Sequence, residues 1–307
     1  MSPLLLMLLS AAPDVAVLST RPGDGFTELR FQRIGATELS SPVARFDHLD
    51  DATALGALIP GTRKVLATAT VLRGDTSFAS ALVLLEANQP NRVLADQCAV
   101  ANRPLVTPNG RIFIQRGVPG PERVDTLRID EIRLDKEPRT VFTTDGFTAF
   151  IAGFAGNELL IYRVSREGAE LLAVNIDTLA ERTLTRIEPL ARDFVVDERR
   201  IVFTLGNSQT RSWHVVSVDL RTGELTTMAN SRLPALLPFV LDGKVVFNAG
   251  EGPTFQHHRF VTRDGIRLGL TETPSDFSTP FALDAKGKRL DFVTVPGARL
   301  DLAGVAP

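Results

Sequence analysis

Val215-Val216-Ser217-Val218-Asp219-Leu220 runs into Arg221-Thr222-Gly223-Glu224 and out through Leu225-Thr226-Thr227-Met228. The stretch reads as strand, tight polar turn with a glycine, and strand again. Upstream, Leu172 to Asp177 leads to Arg182-Thr183-Leu184, and Ile129 to Leu134 leads to Thr140-Val141-Phe142. A still earlier copy runs from Ala81 to Glu86, through Gln89-Pro90-Asn91-Arg92, to Val93-Leu94. Before each hairpin stands a turn signal and a short apolar run, such as Asp197-Glu198 before Ile201-Val202-Phe203. Further turn signals precede Val65-Leu66, Ile112-Phe113-Ile114, Leu159 to Tyr162, Val245-Val246-Phe247 and Leu290-Asp291-Phe292.

The steps Tyr162 to Phe203, Phe203 to Phe247 and Phe247 to Phe292 are 41, 44 and 45 residues. A repeat of about 45 residues with four short strands per unit predicts an all-β chain folded as a β-propeller. The spacing predicts six four-stranded blades, or seven if residues 14 to 45 form most of a blade alone. Helical periodicity is nearly absent, and the best helix candidate is Asp50 to Leu58, interrupted by Gly56. An open ring would leave an unpaired sheet edge, so the N- and C-terminal strands are expected to close it. The C-terminal unit, Pro280 to Leu302, lacks an outer strand, and Val15 to Leu18, Phe26 to Phe31 or both are expected to complete it.

Pro104-Leu105-Val106-Thr107-Pro108-Asn109-Gly110 resembles the blade opening of the TolB-like propellers of bacterial envelopes. Pro238 to Gly243 and Pro280 to Gly287 are looser copies, and the hairpin Asp219 to Gly223 has the same character. The resemblance covers roughly residues 45 to 307 and concerns architecture alone. The separate N-terminal domain of TolB has no counterpart here, so its partnership is not carried over. Gly-His and Trp-Asp pairs do not recur, so WD-repeat proteins match poorly.

Of the 307 residues, 44% are hydrophobic, enough to bury a large core. Lys and Arg number 34 against 36 Asp and Glu, a balance that argues against nucleic-acid binding. One cysteine, Cys98, excludes an internal disulfide and a multi-cysteine zinc site. No stretch beyond the N-terminus has the ~20 apolar residues of a membrane span. Leu4 to Leu9, followed by Ser10 and Ala12, reads as the back half of a secretory signal, although no basic residue precedes Arg21. The expected organisation is a signal-like segment over residues 1–12 and one propeller domain over 13–307, exported to the periplasm or beyond.

Chemistry-bearing residues are sparse. Arg73, Arg116 and Arg163 fall at the end of the second strand in three successive units. Three guanidinium forks on one rim would suit an anionic group, although solvated loop arginines give the same pattern. Gly74, Gly117, Gly206, Gly250 and Gly297 mark the turns after second strands. Asp47-His48-Leu49-Asp50-Asp51 lacks calcium-loop spacing and reads as a polar loop with a helix N-cap. His257 and His258, beside Phe255, would point to opposite sides of an extended chain. Cys98 reads as a buried, inert thiol, and Trp213 and His214 as packing residues opening a third strand.

No catalytic set, metal set or cofactor motif emerges. The expected function is non-enzymatic binding or scaffolding in the cell envelope, with a protein or glycan partner on one disk face. The alternative is a lactonase- or lyase-like propeller enzyme with a metal at the pore, drawing on Asp145, Glu188, Asp193 and Asp276.

Overall fold

The computed structural model describes residues 14–50, 52, 54–72, 78–98, 103–119, 124–145, 148–207, 210, 212–228, 235–241, 244–249, 258–263, 266–272, 278–283, 288–291, 293 and 295–307. The regular elements among these residues are all strands. No helix among them is long and apolar enough to cross a membrane.

Sheet A holds β1 (Asp14–Thr20), β2 (Phe26–Arg33) and β3 (Ala44–Asp47). Sheet B is β4 (Leu55–Leu58), β5 (Lys64–Leu72), β6 (Phe78–Glu86) and β7 (Arg92–Ala95). Sheet C is β8 (Leu105–Val106), β9 (Ile112–Pro119), β10 (Val124–Arg133) and β11 (Lys136–Asp145). Sheet D is β12 (Ala149–Ala155), β13 (Glu158–Ser165), β14 (Gly168–Asn175) and β15 (Glu181–Ile187). Sheet E is β16 (Ala191–Asp197), β17 (Arg200–Asn207), β18 (Ser212–Asp219) and β19 (Leu225–Thr227). Two strands, β20 (Ala235–Leu241) and β21 (Lys244–Ala249), form sheet F. Sheet G is β22 (His258–Arg263), β23 (Ile266–Glu272), β24 (Ser278–Leu283) and β25 (Arg289–Leu290). The last strand, β26 (Arg299–Ala306), returns to pair with β1 as the fourth member of sheet A. All pairings are antiparallel, and apart from β26 the strands of each sheet follow one another in chain order.

The sheets stack face to face, so a central strand is covered on both sides. That is why central strands such as β13, with Leu159 to Tyr162, and β17, with Ile201 to Phe203, carry continuous apolar runs rather than alternating ones. Ile112 and Ile114 of β9 pack toward sheet B with Leu66 and Leu82, whereas Phe113 between them packs toward sheet D with Leu159 and Ile161. On β13 the next step repeats, with Leu160 and Tyr162 packing against Ile201 and Phe203 of sheet E. Outermost strands are polar by contrast, and Leu225, Thr226 and Thr227 of β19 are all exposed.

The β18–β19 turn shows how sequence fixes local geometry. Asp219 Oδ1 accepts from the amides of Arg221 and Thr222 at 2.9 and 2.7 Å. These bonds hold its carboxyl below the usual carboxylate range. Gly223 follows at φ +74°, and a Cβ there would run into the Leu184 carbonyl of sheet D. Glycine answers both demands.

Three sequence expectations change. Asp50 to Leu58 is not a helix: Leu55–Leu58 is β4, and Gly56 packs flat against Leu18 and Ala303 of sheet A. The helix N-cap reading of Asp47 to Asp51 falls with it. Closure joins the two termini as expected, but by the alternative in which residues 14 to 45 form most of a sheet rather than by completing the unit from Pro280. The C-terminus gives one strand and the N-terminus three, because Asp14 pairs with Ala306 and Thr20 with Arg299. Leu290, read as part of a second strand, instead ends the outermost strand of sheet G.

Candidate functional site

Ile129-Asp130-Glu131-Ile132 places two adjacent carboxylates in the third strand of sheet C. Side chains alternate along a strand, so they face opposite neighbours. Asp130, 1% exposed, turns toward sheet B. It accepts from Arg116 Nη1 at 3.0 Å and from Thr140 Oγ1 at 2.8 Å, and Arg128 Nε lies 3.0 Å away. Arg116 in turn donates to the Asp96 carboxylate at 2.7 Å and to its carbonyl at 2.8 Å. Glu131 turns toward sheet D, with Arg111 and Arg139 donating at 2.6 and 3.0 Å and Arg133 3.4 Å away. Arg111 and Arg139 continue to Asp177 and the Ile176 carbonyl. Burial alone would raise the Glu131 pKa, but the bonds and charges of Arg111, Arg139 and Arg133 outweigh it and hold the carboxyl below its ordinary range.

A third buried carboxylate, Asp301 on β26, accepts from the Gly56 amide at 2.8 Å and from both terminal nitrogens of Arg103. Arg103 also donates to the Gly56 carbonyl. This cluster ties the closing strand to β4 and to the segment before β8.

His48 is buried beneath sheet A. Its Nδ1 must donate to the Leu49 carbonyl at 2.7 Å, so its Nε2 accepts from Thr27 Oγ1 at 2.7 Å. Thr20 then donates to Thr27 at 2.6 Å. The chain is closed and inaccessible. On β18, Ser212 Oγ lies 2.9 Å from His214 Nε2, but Nδ1 of that ring is buried without a partner among the described residues. Among the described residues the pair therefore has no third group of the kind that orients a catalytic base.

Of the three arginines singled out in the sequence, Arg73 lies outside the described residues. Arg116 is held between Asp96 and Asp130, and Arg163 donates to Glu170 at 2.9 Å. Gly206 packs against the Trp213 ring rather than making a turn. Arg192 lies over that ring, 5.0 Å from its centroid. His257, Phe255 and Asp276 lie outside the described residues, as does the side chain of Asp145. Glu188 is exposed on the turn after β15, and Asp193 pairs with its neighbour Arg192. Among the described residues no three His, Cys, Asp or Glu side chains are grouped to hold a metal. Cys98 is buried beside Arg116, and burial pushes its thiol up to about 12.

Above Arg116 and Asp130 lies an open groove of about 480 Å³ between sheets B and C. Val93, Leu94 and Ala95 of β7 form one wall, and Glu137, Pro138 and Thr140 of β11 the other.

No protein-family model and no curated protein sequence matches the chain. Solved structures do. TolB from Acinetobacter baumannii superposes with a TM-score of 0.55 at 13% identity, over 95% of this chain and 67% of that one. A prolyl endopeptidase gives 0.61 at 12% identity, over 94% of this chain and 50% of its own. A puromycin-hydrolyzing peptidase of Mycobacterium tuberculosis gives 0.51 at 12%, over 90% and 44%. The fold is that of a TolB-like β-propeller.

At these identities the likeness is one of fold. The chain spans about half the length of the two peptidases. The sequence signal for the inter-sheet carboxylates was an acid pair inside an apolar strand, Ile129-Asp130-Glu131-Ile132. Arg103 and Asp301 carried no such signal, because 198 residues separate them.

Proposed function

We propose that this TolB-like propeller is a non-enzymatic binding or scaffolding module of the bacterial cell envelope, engaging a protein or glycan partner through one face of its disk. The observation that carries the reading is the use of its buried charge. The three buried carboxylates among the described residues, Asp130, Glu131 and Asp301, are each satisfied by arginines that link neighbouring sheets. Such groups stiffen a platform, and these three carboxylates are engaged by arginine rather than left open for proton transfer or metal binding. The likeness to TolB supports the same reading at the level of fold. Export is supported by the apolar run Leu4 to Leu9 with small residues after it, and a single buried thiol is compatible with an oxidising compartment.

Cross-linked affinity capture of the full-length protein from native cell fractions tests the proposal. A reproducible envelope partner, cross-linked to one disk face, is the expected result. Absence of any partner, together with a stoichiometric divalent ion in the purified protein, would overturn it in favour of a pore enzyme.

A further inference from the structure

The groove between β7 and β11 has features of a strand-docking site. β7 is the last strand of sheet B, and no described strand pairs with its outer edge. Val93, Leu94 and Ala95 all border the groove. β7 bulges at Leu94, where Val93 and Ala95 pair with the adjacent Val83 and Leu82, and the bulge lets three consecutive residues border one groove. Val93 is 63% exposed, an apolar side chain standing free beside that edge. The facing strand β11 carries Pro138, which has no N–H to offer and blunts its own edge. Of the two open edges among the described strands at this groove, that of β7 is the one free of proline.

Charge narrows the occupant. Asp96, Asp130 and Glu137 line the groove against Arg116 and Arg128. Both guanidiniums lie against Asp130, and Arg116 also holds Asp96. Glu137 is left over, exposed on the wall opposite β7. An extended segment paired with β7 would bring its side chains past this carboxylate.

We infer that the β7 edge accepts an extended, lysine- or arginine-bearing peptide segment as an added strand, with its apolar side chains on Val93 and a basic one at Glu137. The inference rests on the reading of this propeller as a binding module. Main-chain pairing supplies the affinity, and the groove supplies preference for alternating apolar and basic residues.

The probe is a capped, fluorescein-labelled pentapeptide of alternating lysine and valine, titrated into the full-length protein by fluorescence anisotropy. Saturable binding is expected, with slower amide exchange over residues 92–95 in the complex. Glu137→Lys should weaken it about fivefold, the scale of an exposed ion pair. Methylating the peptide nitrogens along one edge should abolish it, and a glutamate–valine counterpart should not bind. Absence of binding, or binding indifferent to both Glu137→Lys and N-methylation, overturns the inference. Capture of an envelope partner by the Glu137→Lys protein at undiminished yield, alongside a silent peptide, would remove the groove and leave the binding function standing.

Discussion

Glu131 is where the charge network is most open to measurement. Its carboxyl is held below the ordinary value of 4.5 by Arg111, Arg139 and Arg133, against the opposing pull of burial. Between the depressed folded value and 4.5 the unfolded chain binds a proton that the folded chain does not. Stability therefore rises with pH through that window, is complete above 4.5, and is lost as pH falls through the folded value. Glu131→Gln should cost about 2 kcal/mol at pH 7, less than the about 3–5 kcal/mol of a fully buried pair because Arg111 and Arg139 reach solvent. Urea melts at pH 7 and in acid check this: the gap between the two proteins should shrink below pH 4.5, and a gap independent of pH would exclude Glu131 as its source. Cys98 gives the opposite sign. Burial pushes its thiol from 9.0 to about 12, so its contribution is complete below 9 and lost as pH rises toward 12. At pH 8 its thiolate fraction should be about a thousandfold below that of a free thiol. Labelling with a disulfide reagent should be correspondingly slow in the native protein and fast in denaturant.

At the scale of elements, continuous runs such as Leu159 to Tyr162 were legible because a strand covered on both faces needs apolar residues at every position. Polar outer strands were legible for the complementary reason, their exposure. The β4 segment was not, because Leu55-Gly56-Ala57-Leu58 is too short to display a period. What settles it is a partner in another sheet: the Gly56 amide bonds to Asp301, 245 residues away. The partners of Arg116 and Arg163 were invisible for a related reason. Aligning positions between units says nothing of which carboxylate a cross-strand register brings opposite. The contact of β26 with β4 makes a sharp prediction. Gly304 has φ +157°, and a Cβ there would sit 2.7 Å from Leu58 Cβ, an atom that cannot rotate away. Gly304→Ala should lower stability by about 1–3 kcal/mol through overpacking of the closing strand. Gly35→Ala, at φ +80° in a turn with open space around it, carries backbone strain without the clash and should cost less. Equal losses in chemical denaturation would mean that the closing contact is looser than the packing implies.

The whole molecule depends on that closing strand. β26 pairs with β1 along its length and packs Leu300 and Leu302 with Val15, Val17 and Val295. It also carries Asp301, which Gly56 of sheet B and Arg103 in the segment before β8 hold. Removing residues 299–307 would strip all of these at once and leave Val15 to Leu18 as a bare apolar edge, a template for pairing with other chains. The truncated protein should self-associate in gel filtration and lose slow amide exchange over 14–20. Loss of chain length alone would not explain this if connectivity can be exchanged for it. Asp14 stands opposite Ala306, so a two- to four-residue turn, of the order used in ordinary hairpins, could join them. A permutant joined there and opened at the exposed Arg166-Glu167 turn retains every strand. It should remain monomeric and unfold in one transition. If the permutant associates as the truncation does, the ring is held by its covalent order rather than by the β1–β26 pairing. If it stays closed, the geometry of sheet A is sufficient, and the disk is the rigid platform that a binding function requires.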